Sequence, residues 1–263
     1  MINEERSIKV NISSGVATLT LARPARLNAL SREMVNEIQA ALDSLPGLGA
    51  RAILLTGEGR AFCSGVDLVK GGDPPTKPKD GGEILETHFN PLIERLSKSD
   101  LPIIAAVNGA AAGAGCSLAL AADFVVAARS AYFLLAFIKI GLVPDAGATW
   151  SLPRLVGLAR ATEMMLLGER VRAEQAAMWG MIYRVVEDDA LIASATELAA
   201  ALSRGPTRAY GLIRQAVRAG QMSSLSASLA LERTNQRLAA DTEDYLEGVR
   251  AFIEKREARF KGR

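Results

Sequence analysis

Apolar runs in the first half of the chain predict short strands separated by turns. Val16 to Leu21 and Ala52 to Thr56 are two such runs. Residues 103–107 and 124–127 are apolar without interruption, which is typical of strands that are buried on both faces of a parallel sheet. Ser31 is predicted to begin a helix, because a serine hydroxyl caps the free N–H groups of a first helical turn. This half of the chain therefore predicts a mixed α/β fold.

The second half of the chain has the apolar periodicity of helices, which we expect from about residue 150 onward. The apolar stripes consist of Leu191, Ala195, Leu198 and Leu202 in one helix and of Val249, Phe252 and Ile253 in the last. The whole pattern predicts an α/β core over residues 1–200 and a helical segment over residues 201–263, without a linker between them.

Residues 71–82, GGDPPTKPKDGG, interrupt this pattern with four glycines and three prolines in twelve positions. Proline lacks an N–H donor and glycine weakens regular structure, so the segment predicts a loop. Two interpretations stay open, a mobile lid over a site and a tolerated surface insertion.

The composition excludes several kinds of binding partner, catalytic group and metal site. The chain has 263 residues, with 31 Lys and Arg against 29 Asp and Glu, one histidine and two cysteines. A net charge of +2 gives no case for nucleic acid as a partner. His88 alone excludes a mechanism with two imidazoles, and we expect it to be structural or solvated. Cys63 and Cys116 are too few for a zinc–cysteine site or a disulfide framework, so we expect no metal and a reducing cytoplasm as the compartment.

Neither secretion nor membrane insertion is expected. The opening, MINEERSIKV, has acids and no long apolar run, unlike a secretory signal. Residues 101–122 carry no formal charge over 22 positions, which is long enough to span a bilayer. They are rich in alanine, however, and contain Pro102, Asn108 and several glycines. Because that composition transfers poorly into lipid, the segment is interpreted as part of the α/β core.

Two segments, residues 52–68 and 103–118, share a plan of apolar strand, small-residue turn and helix start. A turn that leads into a helix presents free backbone N–H groups at the positive end of the helix dipole. Two such turns that face each other would form an oxyanion hole, a pair of donors for one oxygen, although tight packing is the alternative for either turn alone. A dinucleotide site is less well supported, because GAGCSL lacks the third glycine, and the Gly-Lys-Ser/Thr of a P-loop is absent.

Six blocks of the sequence together resemble the crotonase, or enoyl-CoA hydratase/isomerase, family. They are RPARLNAL (23–30), GRAFCSGVDL (59–68), PIIAAVNGAAAGAGCSLALAADF (102–124), KIGLVPDAGATWSLPRLVG (139–157), AAMWGMIYRVV (176–186) and EGVRAFIEKREARF (247–260). The blocks follow the family's order over essentially the whole chain. The resemblance implies a crotonase-like spiral of ββα units that forms two sheets. It also implies C-terminal helices that assemble a homotrimer or a dimer of trimers.

The same resemblance implies an enzyme that binds acyl-CoA thioesters and stabilises an enolate on two backbone N–H groups. Carried over residue by residue, the donors are Val66, in SGVD, and Ala114, in AGAG. The family usually has glycine at the second position, and alanine there preserves the N–H. Coenzyme A is then part of the substrate, and no separate cofactor is expected.

Positions that match coenzyme A contacts of the family fall in three parts of the chain. They are Arg26, Leu27 and Ala29 in the first block, Ser64, Val66, Asp67 and Leu68 in the second, and Phe252 and Lys255 in the last. A permanently charged guanidinium suits a phosphate, although a lone loop arginine is commonly just solvated. Residues 250–263 contain six basic and two acidic residues, for which a solvated surface is an equally weighted alternative.

The chain departs from the family's hydratases at both of their catalytic glutamates, where it has Ser117 and Phe137. Neither side chain is a competent base, so water addition by the usual mechanism is disfavoured. Asp145 stands where hydratases usually have glycine and where isomerases of the family carry an acid. The resemblance therefore implies an isomerase in which Asp145 moves a proton along the acyl chain, with its pKa raised in an apolar pocket.

Several alternatives remain at these positions. Asp145 could instead cap a helix that begins near Thr149. Phe137, Leu135 and Tyr132 would line an acyl pocket, or pack in the core. At the level of function, the alternatives are a Δ3,Δ2-enoyl-CoA isomerase of fatty-acid oxidation that uses the same Asp145, a hydratase with unusual water activation, and a non-catalytic acyl-CoA-binding paralogue.

Overall fold

The structure is a computed structural model, and it describes residues 6–68 and 80–263. Most of the loop predicted over residues 71–82, namely residues 71–79, lies outside the described residues. The last two residues of the prediction, Gly81 and Gly82, begin a short helix. For those two residues the loop prediction is wrong. The reason is that the Asp80 carboxylate accepts a hydrogen bond from the Gly82 N–H and caps the helix, which offsets the weak helix propensity of glycine.

The strands are β1 (Ile8–Ser13), β2 (Val16–Leu21), β3 (Ala52–Gly57), β4 (Ala61–Cys63), β5 (Ile103–Val107), β6 (Ala110–Ala112), β7 (Phe124–Ala128), β8 (Tyr132–Leu134), β9 (Val171–Arg172) and β10 (Arg184–Val186). The helices are α1 (Arg32–Ser44), α2 (Gly81–Ile84), α3 (Asn90–Lys98), α4 (Ala114–Leu120), α5 (Ala148–Val156), α6 (Leu158–Leu167), α7 (Ala173–Met178), α8 (Leu191–Ser203), α9 (Thr207–Gly220), α10 (Leu225–Ala240) and α11 (Glu243–Glu254).

The four strands predicted from the apolar runs are confirmed as β2, β3, β5 and β7, each within one residue of the predicted end. The predicted helix start is confirmed as well, because the Ser31 hydroxyl accepts a hydrogen bond from the Met34 N–H at the first turn of α1. Local sequence chemistry therefore determines these elements without help from distant residues.

The strands form two sheets, six strands in the order β1-β2-β3-β5-β7-β10 and four in the order β4-β6-β8-β9. From β3 to β8 successive strands alternate between the sheets, so each turn of the chain adds one strand to each. This is the spiral of ββα units that the resemblance implies. Pairing is parallel except for β1 with β2 and β8 with β9. The plan of strand, turn and helix that was predicted for residues 52–68 and 103–118 lacked one element in each segment. The short strands β4 and β6 lie where only a turn was predicted.

The core lies against the six-stranded sheet. Every residue of β3 and β5 is buried, which explains their continuous apolar sequences. Helix α8 packs on this sheet through Ala195 and Ala199, whose small side chains allow close approach. Since α8 spans residues 191–203, the proposed division at residue 200 falls within one helix, and the two-part organisation stays a prediction.

The expectation of helices alone after residue 150 is wrong at two points, because β9 pairs with β8 and β10 pairs with β7. Strands of two and three residues are too short to show a period of their own. The stripe on α8 is buried at Leu191 and Ala195, whereas the stripe on α11 lies at the surface of the single chain, with Phe252 85% exposed.

The uncharged stretch at residues 101–122 contains β5, β6 and α4 and is divided among both sheets and a short helix. Across the residues that the structure describes, no helix has the length and apolar character needed to cross a membrane.

Candidate active site

Two small-residue turns lie side by side at the ends of β4 and β6. A Cβ atom placed on Gly65, in the turn after β4, would lie 3.6 Å from the amide nitrogen of Ala114. A Cβ atom placed on Gly115 would lie only 2.4 Å from the carbonyl oxygen of Cys63, so only glycine lets the two backbones touch there. The structure thus brings together the two turns that would form an oxyanion hole if they faced each other.

The N–H of Val66 points away from the backbone pairing that holds its turn. Val66 forms a parallel bridge with Leu30, in which the Leu30 N–H donates to Gly65 and the Asp67 N–H donates to the Leu30 carbonyl. In such a bridge the N–H of the central residue is directed to the other side of its strand. Within the described part of the chain no acceptor takes this N–H.

The N–H of Ala114 is free for a different reason, because Ala114 is the first residue of α4. The first N–H groups of a helix have no partner within it. The Cys116 and Ser117 N–H groups turn back to the Gly113 carbonyl, whereas the Ala114 N–H finds no acceptor among residues 6–68 and 80–263. Gly113 has φ 52°, a backbone conformation that favours glycine, and this directs the start of α4 toward the neighbouring turn. Both predicted donors are therefore free and lie in adjacent turns.

The loop at residues 23–30 is fastened to the same region by Asn28, which is fully buried. Its side-chain amide donates to the carbonyls of Glu58 and Ala61, at 2.9 and 2.8 Å, and its oxygen accepts from the Arg23 N–H. Sequence reasoning missed Asn28 and Arg23 as site residues. Their signal was the RPARLNAL block itself, in which we considered only Arg26, Leu27 and Ala29.

A buried carboxylate, that of Asp67, organises the charges of this loop. Arg23 approaches one of its oxygens at 2.8 Å and Arg26 the other at 3.3 Å. The Ser64 N–H also donates to the Leu27 carbonyl. The predicted coenzyme A positions of the first two blocks are therefore brought together. Arg26 reaches this cluster already paired to Asp67, whereas Leu68 is exposed.

The last two predicted coenzyme A positions, Phe252 and Lys255, are not brought to this cluster in the single chain. They lie at the end of α11, where Lys255 forms the helix C-cap. The tail that follows is fastened elsewhere: Arg51 donates to the Phe260 carbonyl and to the Thr207 hydroxyl. Their assignment stays a prediction.

Asp145 lies in a turn that precedes α5, and its carboxyl is partly buried. Burial raises the pKa of Asp145 from 3.8 to about 6, as predicted for an acid in a largely apolar environment. Its Oδ1 atom is buried and has no hydrogen-bond partner among the described residues. The capping alternative is wrong, because Gly147 is the N-cap of α5 and no side chain caps this helix. The Asp145 carboxyl therefore neither caps α5 nor has a hydrogen-bond partner for its Oδ1 atom in the described part of the chain.

The two residues at the hydratase glutamate positions both lie next to these groups. The Ser117 hydroxyl, on α4, donates to the Asp145 backbone carbonyl at 3.0 Å. Phe137 is buried, and its ring lies 3.9 Å from the position that a Cβ on Gly113 would occupy. A hydrogen-bonded hydroxyl and an aromatic ring thus occupy the surroundings of the two turns.

Leu135 and Tyr132, the other two residues considered as lining for an acyl pocket, have different surroundings. Leu135 is fully buried and belongs to the core. The Tyr132 ring is partly exposed and stacks under the Arg170 guanidinium at 4.5 Å. Phe137 also belongs to the core, and its ring lies 3.9 Å from the position that a Cβ on Gly113 would occupy.

The two cysteine thiols are buried, and the His88 ring is hydrogen-bonded to a neighbouring side chain. Burial raises the pKa of both Cys63 and Cys116 to about 12, so both remain protonated and unreactive at neutral pH. The His88 ring lies 2.6 Å from the Thr87 hydroxyl and is partly exposed. Among the described residues, no group of three His, Cys, Asp or Glu side chains is arranged to hold a metal ion.

The alternating two-sheet spiral and the adjacent turns agree with comparison to known families. The chain belongs to the enoyl-CoA hydratase/isomerase family, whose model matches residues 11–263. It is therefore an enzyme of a class that acts on acyl-CoA thioesters.

Some relatives of the chain are named as isomerases and others as hydratases. The chain is 48% identical to the 1,2-epoxyphenylacetyl-CoA isomerase of Escherichia coli (strain K12), over 96% of this chain and 97% of the relative. It is also 48% identical to a Rhodobacter capsulatus protein named "Probable enoyl-CoA hydratase", over 98% of each chain. The solved structure of an enoyl-CoA hydratase from Bacillus anthracis superposes with a TM-score of 0.91 at 32% identity, over 98% of this chain and 100% of that one. The comparisons thus establish the family and leave the choice between isomerase and hydratase to the site's chemistry.

Proposed function

We propose that this protein is an acyl-CoA isomerase that binds the thioester oxygen of its substrate on the Val66 and Ala114 N–H groups and moves a proton with Asp145. One observation carries the proposal. The Asp145 carboxyl has a pKa of about 6 and no side-chain partner among the described residues, and its backbone is joined to the helix that Ala114 begins. A base and two oxygen-binding donors are the groups that enolate chemistry requires.

The chemistry follows from where charge develops. Removal of a proton from the carbon alpha or gamma to a thioester puts negative charge on the carbonyl oxygen, and each preorganised donor to that oxygen contributes about 3 to 4 kcal/mol. Asp145 accepts the proton and returns it at the other end of the dienolate, so the double bond moves and no water is added. One carboxylate suffices because loss and gain of the proton take place on one face of the acyl chain.

The preferred substrate that we propose is 2-(1,2-epoxy-1,2-dihydrophenyl)acetyl-CoA, with oxepin-CoA as the product. In this reaction Asp145 assists opening and rearrangement of the epoxide. Movement of a double bond between positions 3 and 2 of an enoyl-CoA is the second reaction. Support comes from the isomerase relative at 48% identity and from the Phe137 ring beside Gly113, an apolar neighbour for a cyclic acyl group.

We further propose that the coenzyme A moiety lies along residues 26–29 and 64–68 and that the chains assemble as homotrimers or dimers of trimers. The exposed α11 stripe of Val249, Phe252 and Ile253 supports burial against another copy. In such an assembly Phe252 and Lys255 would reach the coenzyme A of a neighbouring subunit. No separate cofactor takes part in this scheme.

A hydratase is the second candidate, which the Rhodobacter capsulatus relative favours by its name. Water addition needs a base that holds and deprotonates water. In this chain the Ser117 hydroxyl donates to the carbonyls of Asp145 and Gly113, at 3.0 and 3.5 Å, and Phe137 has no proton acceptor. The chemistry of the side chains therefore supports isomerisation over hydration.

The purified protein should be assayed separately with crotonyl-CoA, trans-3-hexenoyl-CoA and the epoxyphenylacetyl-CoA. We expect turnover of the last two, with little hydration of crotonyl-CoA. Rapid hydration of crotonyl-CoA that persists in Asp145→Ala would overturn the isomerase proposal. Binding of all three without turnover would favour the non-catalytic paralogue.

The pH dependence of the reaction tests the role of Asp145 separately. We expect kcat/KM to fall below about pH 6, because Asp145 must be ionised to accept a proton and burial raises its pKa to about 6. An aspartate with the ordinary pKa of 3.8 would keep its activity down to about pH 4. An acid limb near pH 4, measured where circular dichroism shows the fold intact, would contradict the assignment.

A further inference from the structure

The hydroxyl of Ser117 links the two halves of the proposed active site. It is 2% exposed and donates to the Asp145 carbonyl at 3.0 Å, across 28 positions of sequence, with the Gly113 carbonyl as a more distant acceptor at 3.5 Å. Its own N–H donates to the Gly113 carbonyl at 3.2 Å, in the turn that precedes Ala114. One residue is therefore bonded both to the turn with the oxygen-binding donor and to the turn with the acid.

The turn that carries Asp145 has an unfavourable local conformation. Ala146 has φ 48° and Gly147 has φ 80°, so two successive residues are left-handed, one of them with a side chain. No side chain caps the helix that follows. The Asp145 carbonyl accepts two hydrogen bonds, one from the Ala148 N–H within the turn and one from Ser117. Of these two, only the Ser117 bond comes from outside the turn and the helix α5 that follows it.

We infer that Ser117 is a positioning residue, whose hydroxyl holds the Asp145 turn at a fixed distance from the helix that Ala114 begins. This inference rests on the proposed function. It gives a task to a residue that, by the family resemblance, stands at a catalytic glutamate position of the hydratases. The side chain that cannot act as a base instead keeps the remaining acid aligned with the bound thioester.

The chain offers a matched control in Ser203. This serine is 3% exposed, and its hydroxyl also donates to backbone carbonyls, those of Ser14 and Ala200 at 3.2 and 2.9 Å. It ends α8, and within the described part of the chain its hydroxyl makes no bond to either turn of the site. Ser117→Ala and Ser203→Ala therefore remove the same chemical group from equally buried places, and only the first disconnects Asp145.

The first measurement is steady-state kinetics with trans-3-hexenoyl-CoA. We expect Ser117→Ala to lower kcat by about fivefold to tenfold with KM within twofold, since loss of one hydrogen bond misaligns the acid without touching the coenzyme A contacts. Ser117→Thr, which keeps the hydroxyl, should retain more of kcat than Ser117→Ala. Ser203→Ala should keep the wild-type kcat.

The second measurement needs no turnover and separates this inference from the proposed function. Hydrogen exchange followed by mass spectrometry reports on the peptide around residues 142–150. We expect about tenfold faster exchange there in Ser117→Ala and none of that change in Ser203→Ala. Unchanged exchange and unchanged kcat in Ser117→Ala would overturn the inference even if the wild type isomerises. A wild type without isomerase activity whose exchange still responds as expected would overturn the function alone.

Discussion

We expect Asp145→Asn to lower kcat/KM for isomerisation by about 10²- to 10⁴-fold, the usual contribution of a positioned acid–base group. Asparagine has nearly the same shape as aspartate but cannot accept and return a proton. Since Asp145 is proposed to touch the reacting carbons and not coenzyme A, KM should change little. The measurement is steady-state kinetics with trans-3-hexenoyl-CoA and with the epoxyphenylacetyl-CoA. Unchanged turnover of both substrates would remove Asp145 from the mechanism.

The same variant should be more stable than the wild type at alkaline pH. The pKa of Asp145 is raised from 3.8 to about 6 on folding, so its ionisation costs stability as the pH rises through that interval. Solvent screens part of the cost because the carboxyl is only partly buried, and we expect a gain of about 1–2 kcal/mol in the free energy of unfolding at pH 8. Near pH 4 the gain should vanish. Urea unfolding at both pH values measures it.

Loss of activity together with a gain of stability would mark Asp145 as a functional residue. A structural residue shows the opposite pairing, since its replacement destabilises the fold. A variant that loses activity because it is misfolded would fail the same unfolding measurement. The two readouts therefore distinguish a catalytic from a structural role in one protein.

The second large effect concerns a backbone group. We expect Ala114→Pro to lower kcat/KM by about 10²- to 10³-fold, because proline removes the N–H that is proposed to bind the enolate oxygen. Proline is well tolerated at the first position of a helix, which Ala114 occupies in α4. Circular dichroism and thermal unfolding should therefore show a folded protein, and kinetics should show the defect.

Ala114→Gly is the matched control, since it changes the side chain and preserves the N–H. We expect its kcat/KM to stay within a few-fold of the wild type. Equal losses in the glycine and proline variants would mean that the methyl group of Ala114, rather than its N–H, matters. Full activity in Ala114→Pro would rule out the assigned donor.

Sequence patterns predicted the central fold because its elements are locally determined. β3 and β5 are buried along their whole length, and Ser31 caps α1 by its own hydroxyl. β9 and β10 escaped prediction, since two or three residues acquire strand geometry only from the neighbour that pairs with them. Local sequence carries no information about that neighbour.

In the candidate site, too, features that depend on local sequence were predictable, whereas contacts with distant residues were not. The two glycine turns were visible as strings of small residues, and Asp145 was singled out by the resemblance to the family's isomerases, which carry an acid at its position. The bond between Ser117 and the Asp145 carbonyl was not visible, because a side chain's acceptor 28 positions away depends on the packing of α4 against the following turn. The Asn28 bonds to two distant carbonyls were hidden for the same reason.

Asn28 has a consequence for the rate and tightness of ligand capture. Because its buried amide is fully bonded within the protein, the 23–30 loop has its shape before a ligand arrives. A flexible loop would lose about 0.5–1.5 kcal/mol of conformational freedom for each side chain ordered on binding. A prearranged loop avoids most of that loss, so diffusion and collision geometry, rather than loop rearrangement, would limit association.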